Sequence, residues 1–447
     1  MIRIPISNLV TLLQGRLSHA EIAQQQVESF NTDTRILKNN SCFIALKGEK
    51  YDAHDFLEQA YQNGAIVCIV ERIPENCNKP CIIVSSTQKA LEQLAVYYSS
   101  FFHYTMVGIT GSVGKTTTKY LLEQILRQRF SVLCSPKSFN NNIGIPLTLF
   151  QLQEEHEIVV MEMGTNHPGE ILELTNMVKP NIGVVTCIAP SHCEGFGTLE
   201  NIAREKGDIL KGMSPNSTFI YNKDDKFCCL IAEQFAGKKV GFSINDVENC
   251  HFDAFHIEFT LENYSFFVPI SGIHNLSNLL ASIAIAKELG MTIEEIKKYT
   301  NNIHLPEHRL DKKLIHGITL INDAYNANPK SMQAALEYLQ IYPAKRRIAV
   351  LGSMLELGEK EIDYHKQMGQ YLENIDILIC IGELSWNIAN QASALYPKLQ
   401  QFKLHQWEEA ISILEKDLQK EDVILFKASH RIQLDCLCDK ICSFIQS

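Results

Sequence analysis

The chain has 447 residues, which favours roughly three domains and excludes a small disulfide-stabilised scaffold. Hydrophobic residues make up 45% and charged residues 21%, as in folded globular proteins rather than disordered ones. Asp and Glu number 51 against 41 Lys and Arg, so the formal charge of −10 argues against a nucleic-acid partner. No apolar stretch reaches the roughly 20 residues of a membrane span, and the amino terminus lacks a signal-peptide pattern. We therefore expect a cytoplasmic protein with reduced cysteines, no membrane span and small-molecule partners.

The first predicted domain covers residues 1–103 and alternates short strands with helices. Apolar runs predict strands at 43–46, 66–70 and 81–84, and helical spacing predicts helices at 53–63 and from Thr87 onward. This pattern indicates a small α/β domain.

The second predicted domain covers residues 104–305. An apolar run at 106–109 leads through a glycine-rich turn into a helix whose leucines and isoleucines recur at helical spacing. Further strands are expected at 158–161 and 182–186, and a helix at 275–289. Polar side chains follow these strands, so we predict a mainly parallel sheet with a site at its carboxyl edge.

The third predicted domain covers residues 306–447, after a linker at 301–306. Strands at 318–321, 348–351, 377–381 and 423–426 alternate with helices at 331–342, 361–374 and 407–418. This alternation predicts a doubly wound, Rossmann-like sheet. Dinucleotide binding is a weak interpretation, because no Gly-x-Gly-x-x-Gly follows the first strand. The whole chain is therefore predicted to be a three-domain α/β protein.

A phosphate-binding loop is the strongest chemical signal. The loop lies between a predicted strand and a predicted helix and comprises Gly111, Ser112, Val113, Gly114, Lys115, Thr116 and Thr117. In this context backbone N–H groups and a helix amino end hold phosphates, Lys115 reaches the terminal phosphates and Thr116 binds magnesium. Glu162, directly after a strand, is a candidate second ligand for the same ion. An ordinary glycine turn is the weaker alternative.

Other candidate residues have two readings. The amides of residues 140–142 could hold a phosphate or an acyl group, or form a polar turn. His192 and Lys206 could converge only through the fold, and each is otherwise structural or solvated. Asp323, Asn326 and Asn328 could contact a base and ribose, or serve a turn before a helix.

The order of these motifs resembles that of the Mur ligase family, ATP-dependent amide-bond-forming enzymes that build the bacterial cell-wall precursor. The family loop Thr-Gly-x-x-Gly-Lys-Thr matches residues 110–116. Asp-Ala-Tyr-Asn-Ala-Asn-Pro at 323–329 and Leu-Gly-x-Met-Leu-Glu-Leu-Gly at 351–358 are similar to the member that adds D-alanyl-D-alanine to UDP-N-acetylmuramoyl-tripeptide. The resemblance implies a ligase that acts on a peptidoglycan precursor through an acyl-phosphate intermediate. We expect the enzyme to be a monomer.

The resemblance also implies roles for individual residues. Thr116 and Glu162 would bind one magnesium ion, while His192 and Lys206 would serve a second, with Lys206 at the position that the family carbamylates. Lys115, His192, Lys206 and Arg309 would be the catalytic group, with Arg309 on a phosphate. Asn275, Asn278, Asp323 and Asn326 would contact the nucleoside of ATP. Asp33, Thr34, Arg35 and Lys47 would bind the UDP-sugar. The other substrate-binding residues would be Asn141, Asn328 and Ser429.

Two rival functions share this fold. One is another Mur-type or folylpolyglutamate-synthase-like amide ligase, against which the segment at 323–329 argues. The other is a nucleotide-controlled binding protein without ligase activity. It is motivated by Ser353, where an aspartate is common, and by Lys-Ala-Ser-His at 427–430 in place of Lys-Gly-Ser-Arg.

Overall fold

The computed structural model describes residues 2–48, 50–75, 77–136 and 139–446. The amino-terminal elements are β1 (Ile4–Pro5), α1 (Ile6–Leu12), β2 (Arg16–Leu17), β3 (Gln26–Val27), β4 (Ser29–Asn31), β5 (Ser41–Ile44), α2 (Leu57–Gln62), β6 (Ala65–Val70), β7 (Cys81–Ile83) and α3 (Thr87–Ser99). β1 pairs with β3, and the remaining strands form one sheet in the order β2-β7-β6-β5-β4. This part packs on the central part of the chain, where Phe30 stacks on Phe150 with ring centroids 4.9 Å apart.

The central elements follow in chain order. They are β8 (Thr105–Thr110), α4 (Lys115–Leu126), β9 (Val132–Cys134), α5 (Gly144–Leu149), β10 (Ile158–Glu162), α6 (Glu170–Val178), β11 (Ile182–Val185), α7 (Cys193–Phe196), α8 (Leu199–Gly207), β12 (Thr218–Asn222), α9 (Lys226–Glu233), β13 (Lys238–Phe242), β14 (Glu248–Phe252), β15 (Ile257–Leu261), β16 (Tyr264–Val268), α10 (Ile273–Glu288) and α11 (Ile293–Thr300). The main sheet has the order β13-β12-β11-β8-β10-β9 and is parallel throughout. β14, β15 and β16 form a separate antiparallel sheet.

The carboxyl-terminal elements form the third part of the fold. They are β17 (Asp311–Ile315), β18 (Ile318–Asn322), α12 (Pro329–Ile341), β19 (Arg346–Gly352), α13 (Glu361–Met368), β20 (Ile377–Ile381), α14 (Trp386–Leu395), β21 (Gln400–Leu404), α15 (Glu409–Asp417), β22 (Asp422–Lys427) and α16 (Leu434–Gln446). Their sheet has the order β17-β18-β22-β19-β20-β21, and only the β17–β18 pair is antiparallel.

Buried apolar strands explain why the sheets form. β8, β10, β11 and β18 are buried over nearly their whole length, which is typical of parallel strands covered by helices on both faces. The predicted α/β architecture, with a parallel central sheet and a doubly wound C-terminal sheet, is confirmed. None of the helices in the described ranges has the length and apolar character that crossing a membrane requires. All 14 cysteines are free thiols, and Cys436 on α16 is the exposed one.

The structure departs from the predicted elements in several places. The helix expected at 361–374 ends at Met368 and is followed by the 3₁₀ turn Gly369–Tyr371. The helix expected at 53–63 begins as a 3₁₀ turn, Ala53–Phe56, because the Asp52 carboxylate accepts the His54 N–H and tightens the first turn. The antiparallel sheet of β14, β15 and β16 was not predicted. Its middle strand alternates buried and exposed residues, which is the period-2 signal of a half-exposed strand.

Candidate active site

A cavity of about 860 Å³ lies between the central and C-terminal parts of the chain. The carboxyl ends of β8 and β10 face those of β18 and β22 across it, as expected for open α/β sheets. Most of the predicted site residues line this cavity: Ser112, Val113, Gly114, Lys115, Thr116, Thr117, Asn141, Glu162, His192, Asn275, Asn278, Arg309, Asp323, Asn326, Asn328 and Ser429. Gly111, Lys206 and the four amino-terminal residues do not belong to its wall.

The phosphate loop keeps its shape because two of its positions admit only glycine. Gly111 has φ +142°, and a Cβ there would lie 2.1 Å from the Thr186 hydroxyl. Gly114 has φ +90°, and a Cβ would lie 2.3 Å from Asn278 Oδ1 on α10. Both the left-handed backbone and the close approach of neighbouring groups therefore exclude a side chain. The loop is packed between the end of β11 and α10.

The loop carries polar groups that fit a phosphate. Lys115 begins α4 and its ammonium group donates to the Gly111 carbonyl oxygen at 2.8 Å. The buried Ser112 hydroxyl has no hydrogen-bond partner among the residues that the structure describes, and Ser112 belongs to the cavity wall. Burial lowers the pKa of Lys115, against the opposing effect of Glu162 and with a contribution from nearby Arg309. An anion at this place would satisfy the Ser112 hydroxyl and compensate the buried ammonium group.

Glu162 and Thr116 meet at the end of β10. The Thr116 hydroxyl donates to Glu162 Oε2 at 2.9 Å, and the Asn140 amide donates to Oε1 at 2.9 Å. These hard oxygen donors fit magnesium, which keeps several water molecules and shares its shell with substrate phosphates. The described residues include no cluster of three or more His, Cys, Asp or Glu side chains that could hold a metal alone.

Asn140, and not Asn141, makes the contact with Glu162. The Asn141 side-chain oxygen instead accepts the N–H groups of Ile143 and Gly144, at 3.2 and 2.8 Å, at the start of α5. Asn141 therefore stabilises the turn that presents Asn140, while it also contributes to the cavity wall.

His192 and Lys206 occupy the same neighbourhood without a direct hydrogen bond in the described residues. The positive charges of Lys115 and Lys206 both lower the pKa of His192, and burial is the largest cause. Lys206, on α8, is only 2% exposed. Burial holds its pKa well below the ordinary value, and Lys115 adds to this effect against Glu205, Glu170 and Glu162. The Lys206 amine is therefore held toward its neutral, nucleophilic form.

The C-terminal part supplies Arg309 and Asp323 to the cavity. The Arg309 guanidinium lies over the Tyr325 ring, 4.4 Å from its centroid. Asp323 Oδ2 accepts from the buried Lys427 ammonium group at 2.6 Å, and Lys427 also donates to the Asn326 carbonyl oxygen at 3.1 Å. The Asp323 carboxylate and the Asn326 backbone are thus already held by one buried cation.

The remaining predicted cavity residues have structural partners as well. Asn275 donates to the Ser271 carbonyl oxygen at 2.7 Å, and Asn278 accepts from the Thr118 hydroxyl at 3.4 Å. Asn328 caps α12 by accepting the Ser331 N–H, and the Ser429 hydroxyl accepts the Leu355 N–H, each at 2.9 Å. These contacts orient the four side chains at the cavity wall.

The amino-terminal residues lie apart from the cavity wall. Arg35 forms an ion pair with Asp33 at 2.6 Å, and its hydrogen bonds are the main reason why the pKa of Asp33 is lowered. Thr34 is buried between them, and the Lys47 backbone pairs with that of Asp52. The structure brings residues 33–35 together on one 3₁₀ turn and leaves Lys47 on another segment.

The cavity wall also includes many residues outside the predicted set, among them Glu356 and His274. Glu356, on the loop after β19, accepts a hydrogen bond at its Oε2 atom from His192 Nδ1 at 2.5 Å. His274 on α10 is a cavity residue whose pKa is lowered to about 4, with burial as the largest cause. Glu356 falls inside the motif at 351–358, but no local spacing connects it to a histidine 164 residues away.

Comparison with known proteins places this geometry in a family. Residues 109–286 match the Mur ligase middle domain, and residues 308–430 match the Mur ligase glutamate ligase domain. The chain is 34% identical, over 97% of both chains, to the UDP-N-acetylmuramoyl-tripeptide--D-alanyl-D-alanine ligase of Bacillus subtilis. The chain belongs to the Mur ligase family.

Solved structures of family members have the same fold over the whole chain. A MurF crystal structure from Acinetobacter baumannii superposes with a TM-score of 0.90 at 29% identity and covers 100% of both chains. A MurF ligase from Thermotoga maritima in complex with ADP gives a TM-score of 0.83 at 27% identity, covering 94% of this chain and 98% of that one. The Mur ligase three-domain fold therefore extends to the amino-terminal part, outside the two matched family domains.

Proposed function

We propose that this chain is an ATP-dependent ligase that joins D-alanyl-D-alanine to UDP-N-acetylmuramoyl-tripeptide and so completes a peptidoglycan precursor. The observation that carries this proposal is the cavity in which the phosphate loop faces Arg309 from the C-terminal domain. Curated relatives from Bacillus subtilis and Haemophilus influenzae, each 34% identical to this chain, are named for the same reaction. Positioning and charge neutralisation are what phosphoryl transfer requires, so no nucleophilic side chain is needed.

The first step is transfer of the γ-phosphoryl group of ATP to the terminal carboxylate of the tripeptide. A carboxylate oxygen forms the new bond to phosphorus, and ADP leaves, which gives an acyl phosphate. Lys115 and Arg309 stabilise the negative charge that moves from the γ- to the β-phosphate oxygens. The Ser112 hydroxyl, which lacks a partner within the described part of the chain, donates to a phosphate oxygen.

Magnesium, when bound, neutralises phosphate charge and aligns the reacting oxygens. Thr116 and Glu162 would hold one ion through their oxygens, and His192 and Lys206 would serve a second. Lys206 suits this role only after its neutral amine has reacted with carbon dioxide, because the carbamate replaces a cation with an anionic oxygen donor. The lowered pKa of Lys206 favours that neutral amine.

The second step is attack of the D-alanyl-D-alanine amine on the acyl carbonyl carbon. The new C–N bond forms, inorganic phosphate leaves and the amine loses a proton. Water would hydrolyse the acyl phosphate, so the cavity must be closed during this step. The enclosure of the site between two domains, with candidate hinges near His103 and Pro306, supports closure.

The other assignments belong to the same proposal. Asn275, Asn278, Asp323 and Asn326 contact the nucleoside of ATP, and Asn141, Asn328 and Ser429 contact the peptide substrate. Asp33, Thr34, Arg35 and Lys47 hold the UDP-sugar. The domains run from 1 to 103, 104 to 305 and 306 to 447, in agreement with the loops between α3 and β8 and between α11 and β17. We place the enzyme, as a monomer, in the cytoplasm, where ATP is available.

The test is ATP-dependent phosphate release with UDP-N-acetylmuramoyl-tripeptide, with and without D-alanyl-D-alanine, with magnesium and bicarbonate present. Mass spectrometry follows the muramoyl product. We expect release that depends on the dipeptide and a product heavier by one D-alanyl-D-alanine residue pair. Product formation with a folate and glutamate instead would contradict the proposal, and substrate binding without turnover would favour a binding protein.

A further inference from the structure

A histidine and a glutamate form a direct hydrogen bond across the boundary between the central and C-terminal domains, at the catalytic cavity. His192 of the central domain donates from Nδ1 to Glu356 Oε2 of the C-terminal domain at 2.5 Å. Both residues belong to the cavity wall. Because an ionised carboxylate can only accept, the Nδ1 atom carries a proton, and in the neutral form of the ring Nε2 is left with a free lone pair.

The loop that carries Glu356 is fixed to its own domain. The Met354 N–H donates to His365 Nε2, and the Leu355 N–H donates to the Ser429 hydroxyl, each at 2.9 Å. His365 is buried and its other ring nitrogen, Nδ1, donates to the Glu361 carbonyl oxygen at 2.7 Å. The loop therefore moves with the C-terminal domain as a unit.

Both partners have an unusual backbone conformation. Glu356 has φ +65° and His192 has φ +52°, which is the left-handed backbone region that residues other than glycine seldom adopt. Among the described residues 14 other than glycine have a positive φ, so the value bears on the direction of the side chain and not by itself on function. Here these conformations turn the two side chains toward each other across the boundary between the domains.

We propose that Glu356 is a positioning residue that holds the His192 ring in the tautomer with a free Nε2. The inference rests on the proposed function, in which His192 serves a second magnesium ion. A histidine ligand commonly donates its other ring N–H to a carboxylate, which fixes the tautomer and raises the basicity of the ligand. Since Glu356 comes from another domain, the histidine is prepared for the metal only while the domains are closed.

Such an arrangement couples ATP use to closure. In the open protein His192 loses its acceptor, and its ring is free to exchange tautomers and rotate. The second cation site is then incomplete at the stage when water still enters the cavity. Phosphoryl transfer is thereby held back until water is excluded.

The test measures the His192 tautomer directly, by nitrogen NMR on full-length protein labelled with ¹⁵N-histidine. The protein is held in EDTA with a non-hydrolysable ATP analogue, because a metal ion on Nε2 would itself enforce the Nδ1–H form, and the His192 signal is assigned by its loss in His192→Gln. We expect the Nδ1–H tautomer in the unsubstituted protein and a mixture of tautomers in Glu356→Ala. Glu356→Gln should restore the Nδ1–H form, because its amide oxygen still accepts. Glu359→Ala, which removes an exposed carboxylate from the same loop, is the matched control.

A magnesium titration of ligase activity gives the second readout. Glu356→Ala should raise the magnesium concentration for half-maximal rate about 10-fold while the KM for ATP stays unchanged. The proposal is overturned if Glu356→Ala keeps the Nδ1–H tautomer. It is also overturned if Glu356→Gln shows the same mixture of tautomers as Glu356→Ala and its thermal midpoint is lowered. If no ligase product forms but the tautomer depends on Glu356 as expected, the positioning role stands and the proposed function fails.

Discussion

The phosphate loop and the amino-terminal cluster of Asp33, Thr34 and Arg35 are two proposed binding regions built in opposite ways. In the loop, glycine backbone and buried neighbours fix the position of Lys115. In the cluster, the Arg35 side chain is 81% exposed and pairs with Asp33.

The two regions differ in how much their side chains must rearrange when a ligand binds. The loop already holds an orphaned hydroxyl and a buried ammonium group in place, so a phosphate meets a prepared site. In the cluster a ligand has to replace an existing ion pair and order an exposed side chain. We therefore expect substitutions in the loop to lower turnover strongly and substitutions in the cluster to weaken binding moderately.

Lys115→Ala should have the largest effect. Removal of a cation from the reacting phosphates is expected to lower kcat on the order of 10³-fold. The thermal midpoint should change little, because the side chain lies at the cavity and not in the core. Lys211→Ala, at an exposed lysine, is the control. A kcat within tenfold of the unsubstituted enzyme would break the comparison.

Lys427→Ala tests whether the C-terminal wall of the cavity is as firmly built as the loop. Lys427 and Asp323 form a buried ion pair, and loss of one partner leaves a buried charge unpaired. We expect the free energy of unfolding to fall by about 3 kcal/mol, measured by urea denaturation. The double variant Lys427→Met/Asp323→Asn should recover part of the loss. Equal stability of the single variant and the unsubstituted protein would contradict the buried-pair argument.

Lys206→Ala should lower kcat on the order of 10²-fold and leave the fold intact. With ¹³C-bicarbonate, carbon NMR should detect a carbamate signal in the unsubstituted protein and in Lys211→Ala, but not in Lys206→Ala. Burial lowers the pKa of Lys206, and only its neutral amine reacts with carbon dioxide. The carbamate signal should therefore decrease as the pH falls and the amine is protonated. Unaltered turnover of Lys206→Ala would remove this residue from the mechanism.

Arg35→Ala should have the smallest effect. Loss of one charge-assisted contact is expected to raise the KM for UDP-N-acetylmuramoyl-tripeptide about 10-fold with kcat unchanged. Arg3→Ala, another exposed arginine with an acidic partner, is the control. A large fall in kcat for Arg35→Ala would mean that the cluster acts on the chemistry and that the two regions do not differ as described.

The sequence predicts those parts of the structure that are formed by residues adjacent in the chain. β8, the phosphate loop and α4 follow one another directly, so a short motif contains the whole strand, loop and helix. The antiparallel sheet of β14, β15 and β16 interrupts the alternation of strands and helices. Its strands are half exposed, so they lack the continuous apolar runs by which the buried strands are recognised.

Contacts between distant segments could not be predicted from local patterns. Asn140 rather than Asn141 reaches Glu162 because the turn before α5 uses the Asn141 side chain for its own N–H groups. The pairing of His192 with Glu356 depends on how two separate sheets pack, and the pairing of Lys427 with Asp323 depends on the order of strands within one sheet.

The exposure of Cys436 has a practical consequence. The other cysteines are buried or partly buried, so a thiol-reactive fluorophore should attach first to the outer helix of the C-terminal domain. Desolvation, and after it the neighbouring acidic side chains, raises the pKa of the Cys436 thiol, so labelling should proceed better above neutral pH. With a fluorescent nucleotide in the cavity as the second dye, energy transfer would then follow domain motion in a protein without engineered cysteines.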